Sequence, residues 1–239
     1  MKRASREPKA SVDFALTWLK KRSSARNREG MARYGLTSKN TLGVSVAGIR
    51  LLAKRLGRDH ELALALWDTG FYEARLLTTF VDEPSRVTPV QMDRWCRDFD
   101  SWGICDALCF HLFDKTPHAW KKIAKWSDAR AEFVKRASFA LLASVALHDK
   151  TAPDKLFLES FPLIERAATD DRNFVKKAVS WALRGIGKRN PGLHAAAIKL
   201  SQRLIISAHP SARWVGRDAL RDLSTPATRR RLERAVTGD

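Results

Sequence analysis

Trp102 and Asp106 stand four residues apart, and so do Lys177 and Trp181. Residues i and i+4 share a face of a helix. Each pair therefore sets an indole beside a charge. A carboxylate fixed next to an aromatic face can stabilise positive charge developing on a substrate and orient a water molecule. Other constellations that carry chemistry are missing. The chain has no Walker A sequence, no G-x-G-x-x-G after a strand, no H-E-x-x-H and no paired C-x-x-C. Cys105 and Cys109 lie four apart with Cys96 nearby, but no histidine stands at ligand spacing, so they read as buried apolar residues. The six histidines form no cluster. No metal and no cofactor is called for.

These residues need a scaffold, and self-similarity in the chain indicates one. Phe133-Val134-Lys135-Arg136-Ala137 returns 41 residues later as Phe174-Val175-Lys176-Lys177-Ala178, and Trp214-Val215-Gly216-Arg217 follows after 40 more. Gly103-Ile104-Cys105-Asp106-Ala107 and Tyr72-Glu73-Ala74-Arg75 continue the register upstream at spacings of about 30. Such periods, each holding a helix pair, mark an α-solenoid of HEAT type, whose curve presents a concave face. The fourth position of the pattern reads Arg75, Asp106, Arg136, Lys177, Arg217. Stacked repeats would align these side chains as a cationic ladder suited to a phosphate backbone, with one carboxylate in it. Two explanations of that acid stand side by side: an ion pair with Arg136, or chemistry on a bound nucleic acid. Trp102 and Trp181 beside the ladder suggest an aromatic-walled slot around Asp106.

Helical periodicity dominates the rest, with about a dozen helices and no alternating strand. Amphipathic helices are predicted over 45–57, 59–70 and 71–82, and the polar run 35–43 reads as a loop. Pro89, Pro191, Pro210 and Pro226 follow Thr88, Asn190, His209 and Thr225, at positions where a first helical turn accepts proline. Asp59 and either Asp170 or Asp171 are expected N-caps. Trp18, Trp67, Trp95, Trp120 and Trp126 fall on apolar faces and are expected in the core.

Composition narrows the function classes. The 239 residues include 44 Lys or Arg and 26 Asp or Glu, a net charge of +18, and 44% are hydrophobic. That is enough apolar mass for a core. The excess charge is uneven: 11 bases against 3 acids in residues 1–40, 13 against 12 in 41–130, and 20 against 11 in 131–239. An anionic partner, most simply nucleic acid, is implied. No apolar run approaches the roughly 20 residues of a membrane span. The basic N-terminus carries Asp13 within its short apolar stretch and lacks a cleavage site, so no signal peptide is read there. Three cysteines fit a reducing cytoplasm. One domain over 1–239 is expected, with 226–239 as a frayed tail.

Several motifs of the chain resemble those of a known family. The motifs are Asp98-Phe99-Asp100-Ser101-Trp102-Gly103-Ile104-Cys105-Asp106, Glu132-Phe133-Val134-Lys135-Arg136-Ala137, and the run from Asn173 to Arg184 that holds Lys177 and Trp181. Met31-Ala32-Arg33-Tyr34 is similar to that family's N-terminal motif. In this order they resemble the AlkD-type DNA alkylation repair enzymes, from about residue 25 to about 225. The resemblance implies a HEAT-like solenoid and an alkylpurine DNA glycosylase acting on double-stranded DNA. It implies a cleft lined by Trp102, Asp106, Arg136 and Trp181, with Tyr34 matching the motif tyrosine and Arg184 a phosphate contact. Arg75, Lys177 and Arg217 join these as DNA contacts from the ladder. Ser101 departs from members that carry an aromatic there, and the 35–43 loop is more polar than expected.

The resemblance also implies capture of the lesion from the backbone side, without a deep base-binding pocket. Cationic 3-methyladenine and 7-methylguanine would then be removed and neutral uracil would not. A monomer is expected in the cytoplasm, nucleoid-associated when bound to DNA. The alternative reading is a non-catalytic HEAT-repeat module that binds DNA or protein.

Overall fold

The computed structural model describes residues 8–36, 38 and 40–237. The described residues form fourteen α-helices and one 3-10 turn, and no strand occurs among them. The chain divides after Thr116 into two compact units.

The first unit contains α1 (Pro8–Lys20), α2 (Ala25–Arg33), α3 (Val46–Leu56), α4 (His60–Asp68), α5 (Tyr72–Val81), α6 (Pro89–Arg97) and α7 (Trp102–His111), then the 3-10 turn Phe113–Lys115. The three helices predicted over 45–82 are present, each within one to two residues of its expected ends. Local chemistry explains the starts. Ser45 Oγ accepts from Gly48 N at 3.2 Å, and Asp59 Oδ1 accepts from Leu62 N at 2.9 Å. Thr88 and Gln91 form a capping box ahead of α6 with Pro89 in the first turn. The core is built on Trp67 and Trp95, fully buried and stacked with ring centroids 4.4 Å apart. Asp98 accepts from Trp67 Nε1 at 2.8 Å. His60, Asp82 and Gln91 form a buried polar network. His60 Nδ1 lies 2.6 Å from Asp82 Oδ1, and Gln91 Nε2 donates to Asp82 Oδ2 at 2.7 Å. Burial holds the Asp82 carboxyl above the usual carboxylate range despite these partners.

The second unit contains α8 (Ala119–Trp126), α9 (Glu132–His148), α10 (Asp154–Ala167), α11 (Asn173–Ile186), α12 (Pro191–Ile205), α13 (Pro210–Leu223) and α14 (Pro226–Thr237). Helices α9, α11 and α13 pack successively against one another, while α10 and α12 pack on α11 and α13 from the other layer. The sequence repeat is the contact register of this stack. Phe133 and Phe174, equivalent positions of successive repeats, meet with ring centroids 5.5 Å apart. The third repeat has Gly216 where the others have lysine, and packing gives the reason. A Cβ there would come 2.6 Å from the Ser201 carbonyl oxygen and 2.9 Å from Ile205 N, so α13 lies too close to α12 for a side chain. Phe139, Leu141 and Leu142 on α9 are fully buried, each such burial stabilising by about 1.5–3 kcal/mol.

Three expectations change. Arg172, not Asp170 or Asp171, occupies the N-cap of α11. Trp120 is half-buried, edge-on to Phe157, whereas Trp67, Trp95 and Trp126 are buried. Residues 226–237, read as tail, form α14. Positions 238 and 239 lie outside the described residues.

Candidate nucleic-acid interface

Helix α7 carries the first pair. Ile104, Cys105, Leu108 and Cys109 are its buried side, and Trp102 and Asp106, one turn apart, are half-buried on another side. The cysteines are thus core residues, and burial pushes the Cys109 thiol well up. Trp102 begins the helix, and its Nε1 donates to the Tyr34 carbonyl at 3.0 Å. That bond fixes the indole against the end of α2. Tyr34 caps α2 and is 76% exposed. So Tyr34, distant in sequence, joins the Trp102–Asp106 turn in the first unit.

The packing beneath them involves Tyr72, from the first turn of α5. Its hydroxyl rests against Gly103, where a Cβ would lie only 2.5 Å away. Any side chain at 103 would displace the phenol, so the glycine between Trp102 and Asp106 is a packing requirement. Tyr72 is 6% exposed. Burial, and then the negative charges of Glu73, Asp100 and Asp106, push its pKa up to about 12. It remains a neutral donor at any physiological pH. Glu73, fully buried, accepts from the main-chain nitrogens of Leu42, Gly43 and Val44 at 2.6–3.2 Å.

This accounts for the polarity of the 35–43 loop. Ser38 Oγ donates to Asp100 Oδ2 at 2.7 Å, Thr41 Oγ1 to Ser38 O at 2.7 Å, and Tyr72 N to Asn40 O at 2.9 Å. Polar groups dock the loop onto α5 and the entry to α7. Thr37 and Lys39 lie outside the described residues. A cavity of about 760 Å³ opens beside the loop, with Tyr34, Tyr72, Leu76 and Trp102 among its walls.

The second unit holds the remaining candidates. Arg136 is 6% exposed, and its Nη1 donates to the Phe174 carbonyl at 2.6 Å. Its guanidinium lies 5.9 Å from the Phe174 ring, so it binds consecutive repeats together. Lys177, Trp181 and Arg184 share one side of α11. Lys177 is exposed, and Trp181 and Arg184 are half-buried. Arg184 faces acids: Asp218 Oδ2 at 3.7 Å and Asp222 Oδ1 at 4.0 Å. Arg217 on α13 is exposed. Beside it, Lys176 Nζ lies 5.4 Å from the ring of the exposed Trp214.

The cationic ladder is therefore not uniform. Arg75 in the first unit packs 4.9 Å over Trp67 and donates to Asp98 O at 3.2 Å. Arg75, Arg136 and Arg184 each serve internal partners, whereas Lys177 and Arg217 project from the surface. Sequence reasoning also missed a cationic cavity of about 730 Å³, lined by Lys150, Lys188, Arg189, Arg230 and Arg231 with Asp154. Burial and the charges of Arg231 and Arg189 lower the Lys150 pKa. Its only advance signal was the basic excess after residue 131. Tyr72 had a signal too, since it opens the Tyr72–Arg75 repeat, but only Arg75 was singled out.

Among the described residues, no group of three or more His, Cys, Asp or Glu could hold a metal ion. No helix among them is long and apolar enough to cross a membrane.

A family model described as DNA alkylation repair enzyme matches residues 15–223. No curated protein matches the chain. A solved structure described as "a new family of proteins related to the HEAT-like repeat DNA glycosylases with affinity for branched DNA structures" superposes with a TM-score of 0.74 at 15% identity, covering 92% of this chain and 95% of that one. The fold is thus of the HEAT-like repeat type. An engineered protein (TM-score 0.41, 14% identity, 92% of each chain) and a designed armadillo repeat protein in complex with a (KR)4 peptide (0.38, 13%, 80% of each) also match.

Proposed function

The chain belongs to the DNA alkylation repair enzyme family, and we propose that it is a DNA glycosylase hydrolysing the N-glycosidic bond of cationic alkylated purines. The observation that carries this reading is the Trp102–Asp106 turn of α7, its indole tied to the Tyr34 carbonyl and its carboxylate half-buried. Alkylation at N3 or N7 places positive charge on the purine. The C1′–N bond then breaks with its electron pair leaving on a base that departs neutral, so no general acid is needed. Positive charge passes to the sugar, as in glycoside hydrolysis. Asp106 stabilises that charge and orients the water that adds at C1′. The proton lost by the water goes to the carboxylate and on to solvent.

The indole of Trp102 favours a cationic sugar through its π face. Trp181 is proposed for the same role and Arg136 for positioning. Lys177 and Arg217, exposed and cationic, suit phosphate contacts, as does the phenol of Tyr34. Arg75 and Arg184, matched to internal partners, contribute less. The preference for charged lesions follows from the chemistry: uracil, a neutral leaving group, is not released.

A second reading rests on a specific observation. The superposable structure of the branched-DNA binder is consistent with a non-catalytic DNA-binding module. Release of 3-methyladenine and 7-methylguanine from methylated duplex DNA, with uracil-containing duplex alongside, separates the two. Methylpurine release without uracil release supports the glycosylase. Binding without any release supports the module.

A further inference from the structure

The cavity at Tyr34 and Trp102 departs from the expectation of a surface without a base pocket. It measures about 760 Å³ and is walled by Tyr34, Tyr72, Leu76 and Trp102, with Arg26 and Arg33 among the lining residues. That is the size range of small-molecule sites. Tyr72 lines it as a residue more than nine-tenths buried, with its hydroxyl beside Gly103. A hydroxyl at a cavity wall offers a ligand one donor. The phenol keeps that proton, because burial and three nearby carboxylates disfavour ionisation.

We propose that this cavity receives an unpaired nucleobase of bound DNA, whose edge accepts from the Tyr72 hydroxyl while its face stacks on the aromatic walls. The chemistry matches on three counts. A base is flat, as stacking on the exposed Tyr34 and on Trp102 requires, and such stacking tolerates any base. Every base presents ring-nitrogen or carbonyl acceptors at its edge, which suits a single fixed donor. Arg26 and Arg33 give the cavity cationic groups for the phosphates that flank a base. The proposal rests on the DNA-binding part of the function given above. It makes Tyr72 a positioning residue one helix away from Asp106.

The test uses the full chain and two duplexes of one sequence, one fully paired and one with a single bulged 2-aminopurine. Two variants accompany the wild type. Gly30→Phe fills the cavity from α2, where a Cβ meets nothing within 4 Å, and Tyr72→Phe removes only the hydroxyl. Circular dichroism and thermal melts check that both fold. The wild type should bind the bulged duplex about tenfold more tightly, with 2-aminopurine emission quenched by stacking. Gly30→Phe should abolish that preference while leaving paired-duplex affinity as it was. Tyr72→Phe should reduce the preference about threefold or more. Equal affinity of the wild type for both duplexes would overturn the inference and leave DNA binding intact, as would an undiminished preference in Gly30→Phe. Failure of the folded wild type to bind either duplex would remove the DNA-binding reading itself, and this inference with it.

Discussion

Asp170, expected as a helix cap, proves to be the anion at the centre of a small cationic cluster, and replacing it with asparagine has a calculable consequence. Its carboxylate accepts from Arg172 Nη2 at 2.6 Å, Arg172 Nε at 2.9 Å, Lys135 Nζ at 3.1 Å and Arg172 N at 3.2 Å. The hydrogen bonds from Arg172 come first among the causes that lower its pKa from 3.8 to about 2. A carboxyl group whose folded pKa is depressed stabilises the fold above its unfolded pKa. That contribution fades as pH falls from about 4 through 2. A displacement of this size corresponds to about 2 kcal/mol at neutral pH, since each unit is about 1.4 kcal/mol. The side chains of Lys135 and Arg172 are 18% and 32% exposed, so water screens part of it, and about 1–2 kcal/mol is expected. Urea unfolding of wild type and Asp170→Asn, followed by circular dichroism, reads the difference directly. The gap between them should be largest at pH 7 and about half as large at pH 3. A gap that is the same at both pH values would refute the assignment of the stabilisation to the ionised carboxylate.

Other consequences follow from the same geometry. Glu73→Ala strands the main-chain nitrogens of Leu42, Gly43 and Val44, and should cost about 3 kcal/mol or more in urea midpoint experiments. Lys177→Ala and Arg217→Ala should each weaken duplex DNA binding and reduce the slope of log K against log salt by about one. Arg184→Ala, whose partners are Asp218 and Asp222, should change that slope much less. A titration in which Arg184→Ala matched Lys177→Ala would show that its internal pairs do not hold it away from DNA.

Helix order was legible because it is written locally. Proline after a capping residue announces α6 and α12, and apolar spacing delimits α3 to α5. The repeat was legible because equivalent residues must make equivalent contacts, as Phe133 and Phe174 do. The fate of individual cations was not. Arg75, Arg136 and Arg184 look alike in sequence, but their partners come from other helices or from a backbone carbonyl, which no spacing rule reports. Asp170 was misread for a similar reason. Its neighbour Arg172 and the distant Lys135 compete for the carboxylate that a cap would have used. The Trp102–Asp106 pair could be seen because it is one helical turn, whereas the cavity beside it joins α2, α5 and α7 and has no signature along the chain. The polar 35–43 loop was visible, but its purpose became clear only through Glu73 and Asp100.

The central claim is that Asp106 performs chemistry, and one comparison tests it most directly. Wild type and Asp106→Asn are incubated with methylated duplex DNA, and free 3-methyladenine and 7-methylguanine are quantified over time, with binding measured on the same duplex. The account predicts release by the wild type and a loss of about 100-fold or more in the variant, with DNA affinity retained. Release by Asp106→Asn at the wild-type rate would contradict it, as would a folded, DNA-binding wild type that frees no methylated base.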